Sequence, residues 1–280
     1  MLEHQTRSLS DPLAVSCLWL GDSSRNEFRE ARASLDRFGR VVECVRFADA
    51  LAVLDSPSFA PALIVLAQSY PGQFSTESVD RLRRAAPLAR VVGLLGSWCE
   101  GEARTGRPWP AAIRIYWHQW PGQGRRELKS LAAGIGSAWS LPGTATEEER
   151  LIAGSRPARS RGEGLVAICT RRHEVHDWLA AACRSRGYAT VQLRPDRPAR
   201  IDGARAVLFD ASTADDAEMA PLRRLRRDLG SAVPILAMLD FPRVEDGDQA
   251  LAAGASAILS KPLLLDDLFE HLDRFAGNAS

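Results

Sequence analysis

Short apolar runs alternate along this chain with stretches where apolar residues recur every three or four positions. Leu165-Val166-Ala167-Ile168-Cys169 is one such run, suited to a parallel strand covered on both faces. Behind it, Val175, Trp178, Leu179 and Ala182 fall at i, i+3, i+4 and i+7, which predicts a helix burying that face, with Gly187 as its stop. The pattern continues with strands at Ala189–Leu193 and Ala206–Phe209, a helix from about Ala217 to Leu229, and a strand at Val233–Leu239. A helix at about Val244–Ala253, a strand at Ala257–Leu259 and a helix at Leu265–Phe275 complete it. A short helical segment near Pro195–Ile201 would make five strands alternate with five helices. Such alternation predicts a parallel sheet with helices on both faces and right-handed crossovers.

The first half repeats the plan more loosely. Ala14–Leu20 is an apolar strand, and Ser24-Arg25-Asn26-Glu27 has the spacing of a capping box. Phe28, Ala31, Leu35 and Phe38 mark one helix face, ended by Gly39. Val41–Val45, Ala62–Leu66, Val91–Leu95 and Ile113–Trp117 are further strands, and Arg125–Trp139 reads as a closing helix weakened by Gly134 and Gly136. The predicted organisation is α/β, two flavodoxin-like doubly wound parallel sheets in tandem, over residues 11–139 and 164–277. Residues 140–163, with P-G-T, E-E-E-R and S-R-P-A-R-S-R-G-E-G, have linker composition, and Glu147–Ala153 could form a short helix within it.

Composition narrows the function classes. At 280 residues the chain is comfortable for two domains. A net charge of +1 supplies no global field for nucleic acid or an anionic membrane, so neither is an expected partner. No apolar run approaches the roughly 20 residues of a membrane span. Met1-Leu2-Glu3-His4-Gln5 lacks the basic start and apolar stretch of a signal peptide. Five cysteines, an odd number without C-x-x-C, fit a reducing cytoplasm.

The chemistry concentrates at two places. The first is Ala206-Val207-Leu208-Phe209-Asp210, followed 51 positions later by Lys261 in G-A-S-A-I-L-S-K-P-L. This pairing resembles the phosphoacceptor Asp and the Lys-Pro of the bacterial response-regulator receiver (CheY-like) family. The resemblance runs over residues 164–277 and, in strand–helix order, over 11–139. It implies Asp210 as phosphoacceptor and Lys261 as the partner lysine. Counted back from Gly187, it puts the family's metal-binding acidic pair on Thr170 and Arg171. The switch Ser/Thr position falls on Leu239 and the switch aromatic on Ile258. In the first half one acidic position is Asp22, its neighbour is Ser23, and the phosphoacceptor position is Ala67, next to Gln68.

Attack of a carboxylate on a phosphoryl group needs a divalent cation to neutralise gathering negative charge. Mg²⁺ in turn demands oxygen ligands, and a threonine and an arginine replace the carboxylates that would supply them. The expectation is a degenerate receiver, with Asp210 paired to Lys261 or Arg171 and not efficiently phosphorylated. No cofactor and no metal are expected.

The second place is W-C-E-G-E-A-R-T-G-R-P-W-P-A-A-I-R-I-Y-W-H-Q-W, residues 98–120, which holds four of the seven tryptophans. Gly101, Gly106, Pro108 and Pro110 predict an ordered loop after a strand. Three readings stand. Trp109, Trp117 and Trp120 could cover a sheet edge, with Arg104 and Arg107 pairing Glu100 and Glu102. The segment from Trp98 could be a partner surface, since Trp, Tyr and Arg dominate interface hot spots. Cys99, Glu100, Glu102, Arg104, Arg107 and His118 could line a pocket, with Cys99 and His118 forming an activated thiolate.

Elsewhere, Arg223-Arg224-Leu225-Arg226-Arg227 reads as the solvent face of a helix whose inner face is Leu222, Leu225 and Leu229. Leu263-Leu264-Leu265, Leu268 and Leu272 read as core, as does Trp178. The function expected is a phosphorylation-independent pseudo-receiver signalling or scaffold protein working through protein contacts, with no output domain after the last helix. Two rivals are a response regulator phosphorylated on Asp210 and an enzyme or small-ligand-binding protein built on the Cys99–His118 segment.

Overall fold

The structure is a computed structural model that describes residues 15–100, 109, 112–142, 144–154, 162–197 and 201–277. The chain divides into two compact units. One holds the described residues up to Trp117 together with Gly124–Gly154; the other holds His118–Gln123 together with the described residues beyond 154. Among the described residues no helix is long and apolar enough to cross a membrane.

In the first unit the elements run β1 (Cys17–Leu20), α1 (Arg29–Phe38), β2 (Val41–Cys44), α2 (Phe47–Leu54), β3 (Leu63–Gln68), α3 (Thr76–Ala85), β4 (Arg90–Leu95), β5 (Ile113–Tyr116), α4 (Arg125–Ala132) and α5 (Glu147–Gly154). The strands are parallel in the order β2-β1-β3-β4-β5. Cys17–Leu20 and Leu63–Gln68 are buried throughout, which is why both are apolar at every position before Gln68. Ser75 caps α3, its hydroxyl accepting from the Ser78 N–H at 3.1 Å. Gly39, after α1, sits where a Cβ would lie 2.2 Å from the Val15 carbonyl oxygen, so only glycine permits that approach.

The second unit carries β6 (Leu165–Cys169), α6 (His173–Ser185), β7 (Ala189–Leu193), β8 (Ala204–Asp210), α7 (Asp216–Leu229), β9 (Ile235–Asp240), α8 (Val244–Ala252), β10 (Ala257–Lys261) and α9 (Leu265–Gly277). Its parallel sheet has the order β10-β9-β8-β6-β7. Alternate residues feed opposite faces. Ala167, Val207, Phe209, Ala237 and Leu239 pack with Met219 and Leu222 of α7. Val166, Ile168, Leu208, Leu236 and Met238 pack with Leu179 and Cys183 of α6 and with Leu268 and Leu272 of α9. Gly187 ends α6 with φ of 95°, a conformation glycine adopts without strain. Both sheets have the flavodoxin-like order 2-1-3-4-5, so the fold is two doubly wound α/β units.

Several local expectations are corrected. Ser24 and Glu27 form no capping box, because the Ser24 hydroxyl and N–H both donate to Asp22 Oδ1, at 2.6 and 3.0 Å, and Glu27 turns inward. The stretch after Leu193 holds, among the described residues, a turn closed by an antiparallel bridge between Arg194 and Arg197, not a helix. Trp178 is 46% exposed, because Leu179 and Cys183 take the inner face of α6. Leu264 and Leu265 are also exposed, since the helix they open turns only Leu268 and Leu272 inward. Within the arginine run Arg226 is half-buried, donating to the carbonyls of Gly254, Gly230 and Val233 at 2.7, 2.6 and 2.8 Å. It is a clamp between α7 and the β9 and β10 ends, not a solvated charge.

Candidate functional site: the Asp210 cluster

Parallel strands bring their C-terminal ends to one edge, where ligands bind in open α/β sheets. In the second unit that edge gathers the ends of β6, β8, β9 and β10. Asp210 closes β8 and is buried at 8% exposure, and Lys261 closes β10. Lys261 Nζ donates to Asp210 Oδ1 at 2.7 Å and to the Ala211 carbonyl at 2.9 Å, and it pairs with Asp240 Oδ1 at 2.9 Å. The pairing of Asp210 with Lys261 expected from sequence is present.

The pairing with Arg171 is not. Arg171 extends to Glu218 of α7 at 2.9 Å. The neighbouring Arg172 takes Asp210 instead, Nη2 donating to Oδ1 at 2.6 Å and Nε to Oδ2 at 3.1 Å. Thr170 explains the choice. Its hydroxyl donates to Asp210 Oδ2 at 2.7 Å and accepts from the Arg172 N–H at 3.0 Å. That local turn returns the chain over the β8 end just before α6 begins, so the residue two positions after Thr170 faces the carboxylate.

Asp210 thus accepts four hydrogen bonds from three side chains. Burial raises its pKa, but the bonds from Arg172, Lys261 and Thr170 outweigh burial and hold the carboxyl below the ordinary aspartate range. The cluster balances Arg172 and Lys261 against Asp210 and Asp240, leaving no net negative charge to attract a dication. Leu239 is buried in the core and Ile258 packs partly against it, so neither reaches a ligand as a hydroxyl or an aromatic ring would.

Two residues of the cluster's surroundings were not singled out from sequence. Asp240 pairs in register with Lys261, a consequence of strand pairing. Phe241 follows it with φ of 45° and 61% exposure, its N–H donated to the Lys261 carbonyl at 3.2 Å. A non-glycine residue in the left-handed region is uncommon and clusters at functional edges.

The corresponding edge of the first unit is built differently. Asp22 is exposed and engaged by Ser24. At the β3 end stand Ala67 and buried Gln68, whose Nε2 lies 3.6 Å from the buried Cys99 sulfur. Glu27 is buried there, its Oε2 accepting from the Ser97 N–H at 2.9 Å and hydroxyl at 2.8 Å, and its Oε1 pairing with Arg25 at 3.0 Å. It ties the start of α1 to the β4 end.

In the tryptophan-rich segment the residues part company. Trp98 is 67% exposed, whereas Trp109 is buried, donating its indole N–H to the Phe74 carbonyl at 3.1 Å. A Cβ on Gly93 would lie 2.6 Å from the Trp109 ring, so glycine makes room for the indole on β4. Cys99 and half-buried Glu100 belong to the first unit, while His118 and Trp120, both buried, group with the second; Trp117 is half-buried at the end of β5. Glu102, Arg104 and Arg107 lie outside the described residues.

Among the described residues one group of candidate metal ligands occurs: His173, His176 and Asp177, with ligand atoms within 4.8 Å. It stands on the first turns of α6 beside Arg171 and Arg172. The helix end's partial positive charge opposes a dication there.

No protein-family model matches the chain, and no curated protein matches it. Solved structures are similar at low identity. A Francisella response-regulator receiver domain is 13% identical, with 42% of this chain and 99% of that chain covered and a TM-score of 0.36. A putative pilus assembly-related protein from Burkholderia pseudomallei is 19% identical over 45% of this chain and 98% of that one, with a TM-score of 0.38. A CheY-like receiver domain protein from Methanospirillum hungatei is 18% identical over 42% of this chain and 99% of that one, with a TM-score of 0.36.

Proposed function

We propose that this protein is a phosphorylation-independent pseudo-receiver that signals or scaffolds through protein contacts. The observation carrying this reading is the saturation of Asp210 by Thr170, Arg172 and Lys261. A carboxylate held on both oxygens by a guanidinium is a poor nucleophile. The positive charge that phosphoryl transfer would take from a cation is already supplied by a fixed side chain that cannot coordinate phosphate and carboxylate together as Mg²⁺ does. The cluster then serves as a permanent lock on the loops at this edge. Exposed Phe241, Leu264 and Leu265 near the ends of β9 and β10, and exposed Trp98 in the first unit, offer apolar surface to a protein partner.

Incubation of the full chain with acetyl phosphate and Mg²⁺, followed by intact mass, tests this. No acid-labile adduct of +80 Da should appear on wild type. Thr170→Asp with Arg171→Asp and Arg172→Ala supplies the missing carboxylates and removes the clamp, and serves as the positive comparison. A stoichiometric adduct on wild-type Asp210 sinks the proposal and favours a response regulator still phosphorylated there, a reading that the retained Lys261–Asp210 pair supports.

A further inference from the structure

His173, His176 and Asp177 are spaced i, i+3 and i+4 on the first turns of α6, so they share one face of the helix. Leu179, Ala180 and Cys183 take the inward side, which leaves this face at the surface. Asp177 reaches both imidazoles: its Oδ2 lies 3.5 Å from His173 Nε2, and its Oδ1 lies 3.1 Å from His176 Nδ1. The two rings are stacked, with planes 3° apart and centroids separated by 6.2 Å. One ligand atom from each residue falls within 4.8 Å of the other two.

Nitrogen and carboxylate ligands bind a transition metal at about 2.0–2.2 Å, so one ion requires the group to contract by about 1 Å. The side chains can supply that. Those of His173 and Asp177 are 75% and 61% exposed and can rotate, whereas that of His176 is 16% exposed and is held by packing. His176 is therefore the anchor and the other two close on it. The dipole at a helix start weakens cation binding by only about two- to fivefold. Against it stand two carboxylates in the same turns, Asp177 and Glu174. Arg171 and Arg172 are directed elsewhere, to Glu218 and Asp210.

Donor chemistry selects the ion. Two imidazoles with one carboxylate suit Zn²⁺, Ni²⁺ and Cu²⁺, whereas Mg²⁺ and Ca²⁺ prefer oxygen ligands throughout. We infer that His173, His176 and Asp177 bind one divalent transition-metal ion of the imidazole-preferring class, represented by Zn²⁺. Three protein ligands leave a further position for water or for a donor from another molecule. The inference is independent of the chemistry at Asp210.

The test is calorimetric titration of the full chain with zinc chloride, and separately with magnesium chloride, in a buffer that does not bind metal. It is run at about pH 7.5, where imidazole ordinarily ligates. Saturable binding of Zn²⁺ is expected, with none of Mg²⁺. Affinity for Zn²⁺ should fall about tenfold or more in His173→Ala and in Asp177→Ala, since even an outer partner of a metal ligand is commonly worth that much. Both positions are exposed, and far-UV circular dichroism reports whether the variants fold. If either does not, imidazole nitrogen shifts of wild type on Zn²⁺ addition replace it; those of His173 and His176 should move and those of buried His118 and His271 should not. Absence of saturable Zn²⁺ binding, equal binding of Mg²⁺, unchanged affinity in either folded variant, or shifts centred on other histidines overturns the inference.

Discussion

Arg172 grips Asp210 through both carboxylate oxygens, while Lys261 holds the same side chain from the end of β10. The two cations are not equivalent. The Arg172 side chain is 45% exposed and that of Lys261 only 16%. Removing Lys261 leaves buried Asp210 and exposed Asp240 without their bridge. Lys261→Met is expected to cost roughly 2–3 kcal/mol, less than breaking a fully buried pair, because Asp240 stays in contact with water. Arg172→Met should cost about 1 kcal/mol or less, since water takes over part of its role. Urea unfolding of both variants checks the ranking, and a larger loss for Arg172→Met contradicts it.

Acid should release the lock. The folded-state pKa of Asp210 is depressed, so its contribution is fully present above the unfolded value of about 3.9 and is lost as pH falls through the folded value. Wild-type stability should therefore fall more steeply below about pH 4 than that of Asp210→Asn, whose side chain does not titrate. Unfolding free energies measured from pH 5 to pH 2.5 decide this; parallel curves would remove Asp210 from the acid response.

Glu27 and Gly96 are expected to be strongly coupled. A Cβ at position 96 would lie 2.5 Å from Glu27 Oε1, and Glu27 satisfies the Ser97 N–H. Gly96→Ala should destabilise by about 1–3 kcal/mol through overpacking. Glu27→Ala should cost about 1–3 kcal/mol by leaving a main-chain donor unsatisfied. The double variant should fall short of their sum by at least about 0.5 kcal/mol, because removing the glutamate removes the clash. An additive cycle rejects the coupling.

Within the tryptophan-rich stretch, Trp109→Ala should unfold or cripple the first unit, costing about 3–5 kcal/mol as large aromatic truncations in a core do. Trp98→Ala should change stability by less than about 0.5 kcal/mol, as exposed positions do. Thermal unfolding compares them. Equal effects would mean that exposure does not separate structural from surface tryptophans here.

The order of elements was legible in the chain because a strand covered on both faces must be apolar at every position. Leu165–Cys169, Leu63–Leu66 and Val91–Leu95 obey that rule, and from it follow the parallel sheets and the crossovers. The pairing of Asp210 with Lys261 came from the resemblance to receiver domains, and the parallel sheet accounts for it, since both residues close strands whose ends it brings to one edge. What periodicity could not reveal is orientation within a turn. Trp178 and Leu179 are adjacent in sequence, and only packing against the sheet decided that Leu179 turns inward. Likewise Arg171 and Arg172 are chemically identical neighbours. The Thr170 hydroxyl, by bonding both Asp210 and the Arg172 N–H, selects which of them reaches the carboxylate. Sequence determined the layers and the edge where chemistry could stand; tertiary structure decided which side chains meet there, because hydrogen bonds and burial are settled by distances that spacing along the chain does not set.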